Sequence, residues 1–345
     1  MDLSPGHLVA GRFRVVRFLG EGAVSAVYEA NDDLRGHRVA VKLLHRELSQ
    51  NTEIVQRFER EAEAASRIGS EHIVLVYGAG SAPEGRFIVL EYLDGVTLAD
   101  LLRRRRLLPG EEAASLVLQL LAGLAKAHAL GIVHRDLKPA NLFLVPGPRG
   151  GDFLKILDFG ASKLTNLGQG LTRTGAMVGT PMYMSPEQVR SSDKVDARTD
   201  VYAAGVILYE CVTGKVPFAV KNAVELAFRI VSQDPPPPET HVPSLDPELS
   251  AIIRRAMARD LTARFQSAGE MHEALAAWLG QRGIPLPPET RSAAPPPQPM
   301  AVPVAVPVSG ASVSGSRGLV LILAAGVGAL LLVIAIALVM YVFAG

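Results

Sequence analysis

His134-Arg135-Asp136-Leu137-Lys138-Pro139-Ala140-Asn141 places a carboxylate (Asp136), a cation (Lys138) and a neutral oxygen ligand (Asn141) within eight residues. A second short unit, Asp158-Phe159-Gly160, follows twenty-two residues after Asp136. The residue types are those of polar chemistry on an anion. A positioned carboxylate orients a hydroxyl and takes its proton. A lysine neutralises charge, and hard oxygens hold magnesium. Either unit alone occurs by chance, so its meaning depends on what surrounds it.

Upstream the chain is strand-rich. Residues 12–19 alternate weakly through Phe13, Val15, Val16 and Phe18 and predict a strand. Leu19 leads into Gly20-Glu21-Gly22-Ala23-Val24-Ser25-Ala26-Val27, and a second strand continues through Tyr28. Glycines between paired strands let backbone amides approach phosphate oxygens. By itself the pattern G-x-G-x-x-S-x-V reads more readily as an ordinary hairpin turn than as a phosphate loop. Val39-Ala40-Val41-Lys42 predicts a buried strand whose lysine is either a solvated edge residue or a phosphate partner. Over residues 52–68, Ile54, Phe58, Glu61, Ala65 and Ile68 recur at spacings of four, three, four and three, which is one helix face. Four of the five are apolar, so the face points inward. An ionised Glu61 on it is costly unless a cation meets it. Glu59 and Glu63 fall off the stripe, and Gly69 ends the helix. Residues 72–77 and 86–90 predict two further strands, followed by Glu91-Tyr92-Leu93-Asp94-Gly95.

The second half is helical. Residues 98–106 predict a helix ending in four arginines, Arg103 to Arg106. Cations there favour the helix dipole, and the run is short for a nucleic-acid or anionic-lipid patch. Residues 111–130 predict a long apolar helix stopped by Gly131, and residues 154–157 a strand that presents Asp158. Residues 161–184 are polar and glycine-rich, with Thr165, Thr172, Thr174 and Thr180. Asp200 opens a very apolar helix that runs through Cys211. Four prolines close a turn at residues 234–238, and helices between 247 and 278 complete the region.

In this order and spacing the motifs resemble the bacterial eukaryotic-like (Hanks-type) transmembrane serine/threonine protein kinases, over residues 12–279. The resemblance implies an α+β, two-lobed protein-kinase fold, with a small antiparallel-sheet lobe at about 12–91 and a larger helical lobe at about 94–279. It implies transfer of the ATP γ-phosphate to Ser or Thr of proteins, with Mg2+ as cofactor and Mn2+ as its alternative. Residues 19–27 would then cover the nucleotide phosphates, with Ser25 in place of the usual third glycine. Lys42 would meet the α- and β-phosphates and pair with Glu61. Ala40 and Val27 would close over the adenine, and backbone groups of Glu91 and Leu93 would bond its edge, with Leu90 limiting access behind. Asp136 would be the base and Lys138 would contact the transferred phosphate, a pairing with Pro139 that resembles Ser/Thr-directed kinases. Asn141 and Asp158 would hold magnesium. Thr172 and Thr174 resemble an autophosphorylated pair in an activation loop, with Arg135 placed to receive the phosphate. Thr180 would bridge Asp136 and Lys138. Ser185-Pro186-Glu187 stands for the usual A-P-E, with Arg264 as the cation for Glu187, and Asp200 would accept backbone amides of the catalytic loop.

Bulk properties fit. A net charge of +1 gives no broad attraction to nucleic acid, and one cysteine, Cys211, forms no internal disulfide. No basic-then-apolar segment opens the chain, so no signal peptide is expected. Residues 1–11 read as an N-terminal extension. Residues 280–318, rich in Pro, Ala and Ser, read as an extended linker. Residues 319–343 carry no charge and are long enough as a helix, about 37 Å, to span a hydrocarbon core of about 30 Å. They predict a single-pass anchor in the plasma (inner) membrane, with the kinase region cytoplasmic, the C-terminus on the far side, and no residues for an outside sensor. Ala324-x-x-x-Gly328 offers a weak contact for a homodimer. Two other functions compete: a pseudokinase scaffold, opposed by the complete set of polar residues, and a small-molecule kinase, opposed by Lys138 and the Thr180 segment.

Overall fold

The computed structural model describes residues 3–147, 150–159, 181–190, 195–220 and 222–287. Gly160, Thr172, Thr174, Thr180, most of the linker and the apolar run at 319–343 lie outside the described residues.

Six antiparallel strands build the first lobe: β1 (Leu8–Val9), β2 (Phe13–Glu21), β3 (Ser25–Asp32), β4 (His37–Leu44), β5 (Val76–Ala82) and β6 (Gly85–Glu91), in the order β1-β2-β3-β4-β6-β5. Phe13, Val15, Tyr28, Val41, Phe87 and Val89 fill one face of the sheet. The lobe starts earlier than the sequence predicts. Leu8 and Val9 pair with Arg14 and Phe13, and Leu3 and Val9 are buried, so this segment packs as part of the lobe, with Leu8–Val9 in its sheet. The strand expected at 72–77 also shifts, to Val76–Ala82. Residues 72–74 pair elsewhere, because Ile156 N–H donates to the His72 carbonyl and Val74 N–H to the Ile156 carbonyl. Gly80 suits the displaced strand, since a Cβ there would stand 2.8 Å from the Phe87 ring.

Helix α1 (Thr52–Arg67) crosses the other face. Asn51 caps it by accepting from the N–H groups of Glu53 and Ile54. The predicted stripe is the packed one: Phe58, Ala65 and Ile68 are buried, while Glu59 and Glu63 are exposed.

The second lobe holds α2 (Leu98–Arg105), α3 (Gly110–Ala129), α4 (Pro186–Val189), α5 (Arg198–Thr213), α6 (Ala223–Ser232), α7 (Pro247–Ala256) and α8 (Ala268–Gln281). A small sheet, β7 (Val96–Thr97), β8 (Leu142–Pro146) and β9 (Asp152–Ile156), lies beside them. Helix α5 is buried on nearly every side. Gly205 lets α7 approach it, as a Cβ would sit 2.7 Å from that of Ala256. Leu120, Leu124, Ile207, Leu208 and Trp278 share one apolar core, which continues upward through Phe159 to Phe58 and Ile88. Among the described residues no helix is long and apolar enough to cross a membrane.

Candidate active site

Strand β4, helix α1 and the turn after β9 converge on one ammonium. Lys42 Nζ donates to Glu61 Oε1 at 2.5 Å and to Asp158 Oδ1 at 2.7 Å. The pairing inferred for Glu61 is therefore present, and Asp158, far away in sequence, joins it. Asp158 reaches this position with φ 48°, a left-handed backbone that Asp tolerates better than most residues. Burial works against the Lys42 ammonium, but Asp158 and Glu61 outweigh it and hold its pKa above the ordinary value. Two carboxylates on one cation cannot be equal. Burial and the neighbouring Asp158 push Glu61 up to about 7. Burial also pushes Asp158 upward, yet Lys42 more than reverses this and leaves it at about 2.

The phosphate-loop candidate is shorter than the sequence implied. Strands β2 and β3 run into it, and Gly22, Ala23 and Val24 alone lie outside them. Ser25 is buried in β3 opposite Leu44, so the position needs no glycine backbone. A Cβ on Gly20 would meet nothing within 4 Å, which leaves space open above the strands, and Leu19, Glu21 and Ala23 are exposed beside it. His45 pins the tip: its N–H donates to the Val24 carbonyl at 2.9 Å, and its Nε2 lies 3.0 Å from the Gly22 carbonyl. Ala26 and Ala40 are buried, while Val27, Glu91 and Leu93 are half-buried.

The stretch 134–141 folds into a loop closed by a 3-10 turn at Pro139–Asn141. Lys138 Nζ donates to Asp136 Oδ2 at 3.0 Å. Asn141 Nδ2 donates to the Asp136 carbonyl at 2.8 Å, which leaves the Asn141 Oδ1 for a cation. An amide oxygen and an ionised carboxylate, Asp158, are the hard donors that magnesium takes, with substrate phosphates and water completing its shell. The residues present therefore fit the ion.

The loop is held from below. Asp200, fully buried, accepts the backbone N–H groups of His134 and Arg135, each at 2.8 Å. Arg135 takes φ 66°. Its carbonyl accepts from Gln188 Nε2 at 2.8 Å, and its Nε is buried without a hydrogen-bond partner among the described residues. Glu187 meets Arg264 at 2.8 and 3.2 Å, and Arg264 also donates to the carbonyls of Ala258 and Arg198.

Other contacts escaped the sequence. His128 Nε2 lies 2.8 Å from Asp200 Oδ2. His134 Nε2 lies 2.9 Å from the Leu157 carbonyl, and its ring packs on Phe159. Lys155 Nζ donates to Glu91 Oε1 at 2.7 Å, and the same oxygen accepts Leu75 N–H at 2.8 Å. The spacing of Lys155, three residues before Asp158, was visible but had no local partner.

The sequence matches the protein kinase domain family over residues 13–277. It is 40% identical to serine/threonine-protein kinase Pkn1 of Myxococcus xanthus, covering 79% of this chain and 39% of Pkn1. It is 39% identical to PknB of Mycobacterium tuberculosis, covering 78% of this chain and 43% of PknB. The chain thus spans half or less of the length of these curated relatives. The crystal structure of the Mycobacterium tuberculosis PknI kinase domain superposes with a TM-score of 0.63 at 27% identity, covering 80% of this chain and 99% of that domain. With the family match covering most of the chain and the two lobes meeting at Lys42 and Asp158, the chain belongs to the protein kinase family, on its bacterial Hanks-type serine/threonine branch.

Proposed function

We propose that the chain is a serine/threonine protein kinase that moves the γ-phosphate of ATP to protein hydroxyls and to its own activation loop while anchored in the plasma membrane. The observation that carries this reading is the single ammonium of Lys42 held between Glu61 and Asp158, across from a loop that presents Asp136, Lys138 and Asn141.

Protein kinases use ATP and a divalent metal, typically magnesium. Residues 19–27 and Ala40 cover the nucleotide, and Glu91 and Leu93 line its adenine edge. Lys42 turns toward the α- and β-phosphates. Asn141 and Asp158 hold magnesium, which when bound supplies charge neutralisation on the phosphates. Asp136 orients the acceptor hydroxyl and takes its proton as the oxygen bonds to the γ-phosphorus. The bond to the bridging oxygen breaks, and ADP leaves. Lys138 faces the transferred group and offsets its charge.

Membrane anchoring rests on the uncharged run at 319–343, and a homodimer on its Ala324-x-x-x-Gly328 pattern. Regulation by Thr172 or Thr174 rests on Arg135, whose buried Nε lacks a partner among the described residues and suits a phosphate. The test is a phosphosite map of the full chain in lipid vesicles after incubation with labelled Mg-ATP. The expected result is label on Thr172 or Thr174, abolished by Asp136→Asn. Equal labelling of that variant would refute the assignment of the base.

A further inference from the structure

The four consecutive arginines do not act alike. Arg103 pairs with Asp100, the acid of the α2 capping box, and Arg105 grips both oxygens of Glu112 at 2.5 and 2.8 Å. Arg104 and Arg106 form no ion pair among the described residues. Of these two, Arg106 lines a cavity and Arg104 does not.

The cavity has a volume of about 580 Å3 and lies between the end of α2, the loop at Lys138 and the buried helix α5. That is large enough for several side chains of a ligand. Arg103 and Arg106 stand along one side, Lys138 along another, with Tyr183 and Glu210 beside them. Lys138 Nζ is 3.0 Å from Asp136, so the cavity opens within one side chain of the proposed proton acceptor.

Two features set its charge preference. Tyr183 OH donates to Glu210 Oε2 at 2.6 Å, so this carboxylate is already engaged by a donor within the lobe. Arg106 meanwhile holds a positive φ of 68°, a backbone that residues with a Cβ rarely adopt. Gly214 backs it closely, since a Cβ there would stand 2.8 Å from the Arg106 carbonyl. An exposed guanidinium with no ion pair among the described residues thus stands at the rim of the cavity, on a backbone that Gly214 backs closely. A substrate that covers it must supply an anion or bear the cost of desolvating it.

We infer that Arg106, supported by Arg103, is a specificity-determining residue that selects protein substrates carrying an acidic side chain close to the acceptor Ser or Thr. This rests on the kinase reading and names the substrate class of the same site.

The test uses the full chain and threonine peptides on an alanine background, with Glu, Gln or Lys placed in turn at each of the four positions on either side of the acceptor. The expected result is a Glu-over-Gln preference in kcat/KM of about fivefold at one or two adjacent positions, shrinking as salt is raised. Arg106→Gly removes the guanidinium and relieves the backbone, so the fold should survive, as a thermal melt checks, while the ratio falls to near one. Arg104→Ala keeps the ratio, and Arg106→Glu turns it toward Lys. A ratio near one at every position overturns the inference, as does a preference for Lys in the wild type, which would assign the cavity to Glu210. So does an unchanged ratio in Arg106→Gly. Transfer to peptides without acidic preference leaves the kinase reading standing; transfer to no peptide at all overturns both.

Discussion

Two carboxylate–cation clusters divide the labour of this molecule. In the helical lobe Glu187 and Arg264 form a closed pair. Arg264 is fully buried, its guanidinium donates to two carbonyls besides the acid, and Thr199 completes Glu187 with a 2.8 Å hydrogen bond. Between the lobes, Lys42 faces two acids at once, Glu61 and the half-buried Asp158. The first cluster is balanced and dry. The second sets two carboxylates against one cation. A balanced buried pair gains nothing by rearranging and fixes the segment around Glu187. An unbalanced one is poised for a cationic metal and an anionic ligand that redistribute its charges. Scaffold and reaction centre are thus told apart by charge balance and not by residue type.

The largest effect separates function from fold. Lys42→Ala should cut phosphate transfer by more than about a thousandfold while the melting transition survives. Wild-type labelling of this variant would break the comparison at its reactive end. Next comes the closed pair. Arg264→Ala strands the Glu187 carboxylate in the interior and should cost about 3–5 kcal/mol, measured by denaturant unfolding. A loss below about 1 kcal/mol would mean that the pair is not balanced in the way described. Third is a pH effect. The Glu61 pKa is raised from an ordinary 4.5 to about 7, so the folded state holds that proton more tightly than the unfolded chain. Its contribution is present below the ordinary value and lost as pH rises through about 7. Nucleotide-free wild type should therefore lose stability relative to Glu61→Gln between about pH 4.5 and 7, seen by melts across that range; a constant difference would refute the charge excess. The smallest effect concerns the link between strands β6 and β9. Lys155→Ala removes the ion pair to Glu91 and should cost about 1 kcal/mol or less. Comparison of its unfolding with that of the wild type checks this.

The reactive cluster was largely legible before the fold was known. Glu61 sat on an apolar stripe, and physics demanded a cation for it. Asp200 and the Glu187–Arg264 pair followed from resemblance, and in the folded chain Asp200 accepts the amides of His134 and Arg135 while Glu187 meets Arg264. What escaped notice depends on distant partners. Strand β1 has two residues, and only the burial of Leu3 and Val9 against the sheet explains it. Residues 72–74 look like a strand, yet their partner is Ile156, more than eighty positions away. Helix α6 buries Leu226 and Ile230 but exposes Val224 and Phe228, which blurs the one-faced pattern that would have announced it. Glu91 and Lys155 stand 64 residues apart with no periodicity to join them. The arginine run was legible as a helix end favoured by the dipole, but its division into paired and unpaired members needed the positions of Asp100 and Glu112.

The deciding measurement is calorimetric titration of the full chain with a non-hydrolysable ATP analogue, with and without magnesium, in wild type and Asp158→Asn. Binding should tighten with magnesium in the wild type and lose that dependence in the variant. Absence of binding, or an equal magnesium effect in Asp158→Asn, would contradict this.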